Sequence, residues 1–266
     1  MSDSVLSIKK LQVSIQSRDG SVNEITKDVS LELHEHEFVS IVGPSGSGKT
    51  TLLRAASGLR PPSGGEVIFD QKPITDVPKG LAIVFQEYNK SLFPWLTIGK
   101  NVAMGARDYS NQERSERVER ALGQVGLAGF ATRYPWELSG GMQQRAALAR
   151  AMVSNPRILM MDEPFASVDA LTRNRLEDVV QRLWDSSNFS ALMVTHDVGE
   201  AIYLSDRVLV LSARPSTVLA EIKIDLDRPR SQIETRKTKR FVELVAEVLE
   251  RVEHAGRQAV GIEDLS

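Results

Sequence analysis

Nine consecutive residues, Gly43-Pro44-Ser45-Gly46-Ser47-Gly48-Lys49-Thr50-Thr51, follow the pattern G-x-x-x-x-G-K-[ST]. Glycines at these positions let successive backbone N–H groups turn inward around a phosphate, and a helix N-terminus behind them adds positive dipole. Lys49 has the reach to meet terminal phosphates as a point charge, and the Thr50 hydroxyl beside it is a ligand for Mg²⁺. A second stretch, Ile158-Leu159-Met160-Met161-Asp162-Glu163, is apolar and ends in two carboxylates. Beside a phosphate loop, Asp162 suits the metal and Glu163 suits the base that takes a proton from an attacking water; alone, the pattern is equally that of a buried strand entering a loop. A third, Leu138-Ser139-Gly140-Gly141-Met142, places a serine at an N-cap position and exposes glycine N–H groups. That is either an ordinary capped helix or a second anion site.

Positioning these groups requires strands that end at the loops and helices that start from them. Phe38 to Val42 is an apolar, β-branched run before the phosphate loop, and Thr51 to Ala56 is made largely of helix formers after it. Upstream, Val5 to Ile15 and Ile25 to Leu33 alternate apolar and polar, which predicts an antiparallel hairpin. Glycine and proline from Gly58 to Gly65 close the helix, and strands are expected at 66–70 and 81–85. From Gln86 to about Val153 strand signals vanish, and 113–122 has the spacing of an exposed amphipathic helix, so this stretch is a candidate inserted subdomain. Strands then return at 157–162, 190–195 and 207–211 around a helix at 169–185, an alternation that predicts a parallel sheet with helices on its faces. A further hairpin is expected up to Ile224, and a helix from Phe241 to Val252.

At 266 residues the chain can bury a substantial core. With 33 Lys and Arg against 35 Asp and Glu, the formal charge of -2 gives no overall field for nucleic acid, and nucleic acid is not among the expected partners. The absence of cysteine excludes disulfides, thiolate metal sites and thiol catalysis. No apolar run approaches the length of a membrane span and the N-terminus has no signal-peptide pattern, so a soluble cytosolic polypeptide is expected, with any membrane role coming through a partner.

The order and spacing of the phosphate loop, Gln86, Leu138-Ser139-Gly140-Gly141, Asp162-Glu163, Ser167-Val168-Asp169 and His196 resemble the ATP-binding subunits of ABC transporters over nearly the whole chain. The resemblance implies an α/β P-loop NTPase fold with an ABC-type cassette: a mixed sheet core with N-terminal antiparallel strands and an inserted helical subdomain. It places the cassette at residues 1–240, the helical subdomain at about 87–155 and a C-terminal helical extension at 241–266. It also implies an ATPase using ATP and Mg²⁺ that works as a head-to-tail homodimer, each phosphate loop closing on Ser139, Gly140, Gly141 and Met142 of the other copy. By the same resemblance Gln86 links Mg²⁺ and water to the helical block, Asp169 lies at the dimer seam, and His196 contacts the γ-phosphate. A histidine at a strand end is otherwise most often a surface or core residue.

The aromatic residues of Tyr88-Asn89-Lys90-Ser91-Leu92-Phe93-Pro94-Trp95 fall where the family forms a groove for a helix of its membrane subunit, unless they pack inside the block. Residues 1–37 contain no Phe, Tyr or Trp, although the family usually stacks an aromatic residue there on adenine. The slot aligns near Ile15, with Arg18 as a cation–π candidate. Met142 stands where glutamine is usual, and His36-Glu37 where Gly-Glu is common. Ser212-Ala213-Arg214-Pro215, 224–230, Leu92 to Trp95 and Phe165 to Thr172 are similar to importers of nitrate, sulfonate, taurine and bicarbonate. The basic run Arg228 to Arg240 is read either as a solvated face or as a contact for anionic lipid headgroups.

The expected function is therefore the energy-coupling ATPase of an importer for a small anionic or sulfur- or nitrogen-containing solute, peripheral at the cytoplasmic face of the inner membrane. Permease subunits would be its direct partners and a solute-binding protein an indirect one. The alternative is a soluble, non-transport ABC ATPase of DNA repair or translation, whose usual tandem cassettes or long coiled coil this chain does not carry. A small-molecule kinase would leave Ser139-Gly140-Gly141 and His196 unexplained.

Overall fold

The computed structural model describes residues 4–17, 20–86 and 91–260, the last three without their side chains. In chain order the elements are β1 (Ser4–Gln16), β2 (Val22–His34), β3 (Phe38–Val42), α1 (Lys49–Ala56), β4 (Gly64–Phe69), β5 (Lys72–Pro73), β6 (Leu81–Val84), α2 (Ile98–Ala103), α3 (Asn111–Gln124) and α4 (Gly140–Met152). They continue with β7 (Ile158–Asp162), α5 (Ala170–Ser186), β8 (Ser190–Val194), α6 (Val198–Leu204), β9 (Arg207–Leu211), β10 (Val218–Lys223) and α7 (Lys239–Val260). They fall into two compact units, Met1–Pro78 with Ser190–Ser266, and Lys79–Phe189.

In the first unit β1 pairs antiparallel with β2 on one side, Leu11 opposite Val29, and with β4 on the other, Ile8 opposite Val67. The alternation seen in the sequence becomes a buried face of Leu6, Ile8, Leu11, Val13, Val29, Leu31 and Leu33. The two-residue strand β5 completes this antiparallel sheet and is too short to carry a sequence pattern. β3 lies between β8 and β9, parallel to both, and all five of its residues are buried. Burial on both faces is why these strands read as continuous apolar runs rather than alternations. β10 pairs antiparallel with β9, the hairpin expected before Ile224. Phe241, Leu244, Val248 and Ala255 form the buried stripe of α7.

His36 adopts φ +52 in the tight turn between β2 and β3, a left-handed conformation that glycine takes more readily than a residue with a Cβ. The turn is held by Glu37, whose carboxylate accepts from the His34 N–H at 2.9 Å. At the start of the basic run two arginines are engaged within the protein. Arg230 is buried and donates to the carbonyls of Ile202, Tyr203 and Ser205, the last turn of α6, and Arg228 donates to Leu204 and Asp206. Cations at a helix C-terminus satisfy the carbonyls that the helix leaves unpaired.

The second unit holds, among the described residues, β6 and β7, parallel with Val84 opposite Met161, and the helices α2 to α5. Capping side chains start each helix: Thr97 for α2, Ser110 for α3, Ser139 for α4 and Asp169 for α5. Helix α2 is six residues long and has no amphipathic repeat to announce it. Its Asn101, fully buried, accepts from Phe93 N–H at 2.7 Å and donates to the carbonyls of Phe93, Leu96 and Thr97. One amide thus fixes the loop 93–97 and leaves Trp95 69% exposed, its ring tilted against that of the half-buried Phe93 at 5.3 Å. Tyr88, Asn89 and Lys90 lie outside the described residues. No helix among the described residues is long and apolar enough to cross a membrane.

Candidate functional site

In the first unit the site begins where β3 ends. Thr195 donates its N–H to the Ile41 carbonyl at 3.1 Å, continuing the parallel register of Ile41 with Val194. The phosphate loop and His196 therefore leave the sheet from adjacent strand ends. His196 is solvent-exposed, and the turn that carries it is fixed from below. The buried Thr195 hydroxyl donates to Glu200 at 2.7 Å and accepts from the Asp197 N–H at 3.0 Å, while Asp197 caps α6 through the Glu200 N–H. Thr195 lies in the stretch Val194-Thr195-His196-Asp197 that carries the histidine, and no sequence signal announces its pairing with Glu200.

Gly46 and Gly48 take φ of +78 and +96. A Cβ on Gly46 would meet nothing, so its backbone angle is the requirement; a Cβ on Gly48 would lie 2.5 Å from Ile25 Cγ2 of β2, so both angle and space exclude a side chain. With glycine as its N-cap, α1 has no side-chain cap, and its first N–H groups are left for a ligand. The Ser47 hydroxyl is buried with no hydrogen-bond partner among the described residues. Lys49 is 6% exposed and donates to the carbonyls of Gly43 at 2.9 Å and Pro44 at 3.1 Å, holding its charge within the loop. Uncapped donors, an orphan hydroxyl and a buried ammonium fit an oxyanion and nothing apolar. Thr50 and Thr51 are half-buried at the start of α1. Ile15 is half-buried near the end of β1, opposite Asn23, and Arg18 lies outside the described residues.

The second unit carries the acids. Asp162, 3% exposed, ends β7, and Glu163 follows with φ +45, a strained angle for a residue with a Cβ. Because β6 and β7 are parallel and level, the chain leaving β6 brings Gln86 to Glu163, whose Oε2 accepts from Gln86 Nε2 at 3.3 Å. Residues 77 apart in sequence meet through a register that neither segment encodes alone.

Also in this unit, the Ser139 hydroxyl accepts from the Met142 N–H at 3.4 Å. A Cβ on Gly141 would come within 2.3 Å of Thr172 Cγ2, so this glycine is required by the close packing of α4 against α5. Asp169 accepts from the N–H groups of Leu171 and Thr172, at 3.1 and 3.0 Å. A side-chain hydrogen bond with Thr172 and then the backbone donors hold its exposed carboxyl below the usual aspartate value. The structure thus brings together the loop and the His196 turn in one unit, and Gln86 with Glu163 in the other.

Residues 26–166 match the model of the ABC transporter family. An uncharacterised ABC transporter ATP-binding protein of Methanocaldococcus jannaschii is 46% identical over 207 residues, 77% of each chain. The aliphatic sulfonates import ATP-binding protein of Bacillus thuringiensis is 37% identical over 253 residues, 94% of this chain and 97% of that one. The nitrate import ATP-binding protein of Synechococcus elongatus is 40% identical over 84% of this chain, which spans 34% of it. Among solved structures, a dimeric ATP-binding cassette bound to ADP and inorganic phosphate is similar at 32% identity and a TM-score of 0.72, covering 82% of this chain and 98% of that one. A P-loop with uncapped donors, a strand-end acid pair and a glycine-bearing capped helix are the parts expected of such a cassette, and the chain belongs to the ABC transporter family as one of its ATP-hydrolysing, ATP-binding proteins.

Proposed function

We propose that this chain is the energy-coupling ATPase of an importer for a small anionic or sulfur- or nitrogen-containing solute, acting as a homodimer on integral permease subunits at the cytoplasmic face of the membrane. The observation that carries it is the Gln86–Glu163 contact. It joins the acid suited to activate water to Gln86 in the same unit that carries the exposed Trp95, with the half-buried Phe93 beside it, a surface a partner can touch. The names of the sulfonate and nitrate import relatives support the solute class.

In this reading the N–H groups of Gly43 to Thr51 bind the nucleotide phosphates, and Lys49 exchanges the carbonyls of Gly43 and Pro44 for phosphate oxygens. The hydroxyl of Thr50, the carboxylate of Asp162 and the amide oxygen of Gln86 are hard donors that would suit Mg²⁺. When bound, Mg²⁺ neutralises phosphate charge. Glu163 accepts the proton of the attacking water, and His196 steadies that water and the terminal phosphate. Ser139 to Met142 of a second copy supplies the remaining donors, with Asp169 at the seam, and Ile15 offers adenine an apolar contact. The 1–240 cassette, its 87–155 insert and the 241–266 extension stand as the domain reading.

Affinity purification of the tagged chain from detergent-solubilised native membranes tests the assignment. Integral membrane subunits in stoichiometric yield are expected, with a solute-binding protein joining them when cargo is present. Recovery with soluble proteins alone would overturn it.

A further inference from the structure

Helix α7, within the first unit, runs up to the phosphate loop. Phe241, Leu244, Val248 and Ala255 bury one stripe of it, which fixes its position along its length. Directly after Ala255, a Cβ built on Gly256 would lie 4.0 Å from Cγ of the half-buried Pro44, the second residue of the loop, and within 4 Å of nothing else among the described residues. The segment that leads into α7 reaches the other side of the site. Arg236 lies over the ring of Tyr203 on α6 at 5.0 Å and over that of Phe241 at 5.6 Å. Its Nη1 fills the space beside Gly199, where a Cβ would come within 3.2 Å of it. Gly199 is in the first turn of α6, three residues after His196. Arg228 and Arg230 fasten the start of this segment to the end of α6, and Arg240 pairs with Asp225 at 2.7 Å. The C-terminal segment is thus tied down at several points and meets the site at two, beside the phosphate loop and behind the histidine turn.

We propose that α7 positions the phosphate loop, Gly256 setting how close the helix stands to Pro44, and that nucleotide affinity depends on this contact. The inference rests on the reading of Gly43 to Thr51 as the phosphate site and not on the importer assignment. Elsewhere the loop has its own braces. A Cβ on Gly43 would lie 3.1 Å from the Leu211 carbonyl, Gly48 is pressed against Ile25, and Lys49 holds the carbonyls of Gly43 and Pro44. The lysine brace is the one that a nucleotide removes, because Lys49 then turns to phosphate oxygens. The Pro44 ring, leaning on α7, keeps its support when that happens. Its ring also locks φ, so a push on Pro44 is passed to the backbone on either side of it. A cradle of backbone donors works only within about 0.5 Å of its productive geometry, and a shift of that size is felt as affinity. Coupling is reciprocal, so bound nucleotide steadies the end of α7 by the same factor.

The test is a double-mutant cycle on the full-length chain, read by equilibrium binding of a labelled, non-hydrolysable ATP analogue. Gly256→Leu, which drives a branched side chain toward the proline ring, should weaken binding about fivefold, within the range of couplings between residues in contact. Gly256→Ala adds only a Cβ at an ordinary van der Waals distance and should stay within about twofold of the unsubstituted chain. In a Pro44→Ala background, where the ring is gone, the loss caused by Gly256→Leu should shrink to less than about twofold. A loss of equal size in both backgrounds, or no loss at all, would overturn the proposal. Leucine is a better helix former than glycine, so Gly256→Leu does not weaken α7 itself, and thermal unfolding of each variant verifies this. Lys49→Ala separates the two levels of the argument. If it loses the analogue while Gly256→Leu binds normally, the role of α7 alone is refuted; if it binds as tightly as the unsubstituted chain, the phosphate-loop reading and the role of α7 fall together.

Discussion

Replacing Glu163 by glutamine isolates the proton-accepting role proposed for it. The side chain keeps its length and one oxygen, so the 3.3 Å contact from Gln86 Nε2 can persist, and the left-handed angle at φ +45 costs glutamine about what it costs glutamate. The anion cradle of Gly43 to Thr51 is untouched, and nucleotide affinity should stay within about threefold. What is lost is a positioned general base, a contribution of about 10²–10⁴ in rate. At about 1.4 kcal/mol per decade this is roughly 3–5 kcal/mol of barrier. Steady-state phosphate release should therefore fall at least about a hundredfold, while equilibrium binding of labelled ATP is retained and a closed dimer accumulates on gel filtration with ATP. Lys49→Ala provides the contrast: binding itself should fail, because the ammonium that is 6% exposed within the loop is removed. Hydrolysis by Glu163→Gln within tenfold of the unsubstituted chain would show that water is activated by another group, and the role assigned to the Gln86–Glu163 pair would fall with it.

Asn101→Ala should destabilise the second unit by about 2–4 kcal/mol, because one buried donor and three carbonyls lose their partner at once; denaturant unfolding measures this, and a rise in Trp95 mobility by fluorescence anisotropy should accompany it. Ile15→Tyr should tighten ATP about fivefold or more relative to the unsubstituted chain, since base–aromatic stacking is worth about 1–3 kcal/mol and the half-buried isoleucine provides none; an unchanged affinity would place adenine elsewhere. The carboxyl of Asp169 is held low, so its folded pKa lies below its unfolded one. Its contribution to stability is present above the ordinary aspartate value of 3.8 and is lost as pH falls through the lower folded value. An NMR titration of its side-chain carbonyl should show a midpoint below that value, and Thr172→Val should move the midpoint upward.

Much of the scaffold can be read from short-range pattern. The hairpin of β1 and β2 follows from period-two alternation, β3, β7 and β8 from unbroken apolar runs, and the starts of α4 and α5 from Ser139 and Asp169, because each signal lies within a few residues of the element it specifies. The elements that escape are short or lean on distant partners. β5 has two residues and α2 six, too few for a period to declare itself. Arg228 and Arg230 look in sequence like part of a solvated basic run, yet they serve the end of a helix some twenty-five residues upstream.

The candidate site divides the same way. Residue types and spacing alone determined that Gly43 to Thr51 is a glycine-rich turn between a strand and a helix, with the donors an anion would need, that Asp162 ends a buried strand with Glu163 after it, and that Ser139 caps a glycine-bearing helix, since each of these is a local backbone requirement. Tertiary structure decided what local chemistry cannot: that parallel pairing of β6 with β7 sets Gln86 against Glu163, and that Thr195 and Glu200 stiffen the turn bearing His196. It also decided that a buried Asn101 ties down the backbone on either side of the exposed Trp95, and that the C-terminal end of α7 meets Pro44 of the phosphate loop. Each depends on register and packing between segments far apart in the chain, for which a linear pattern carries no coordinate.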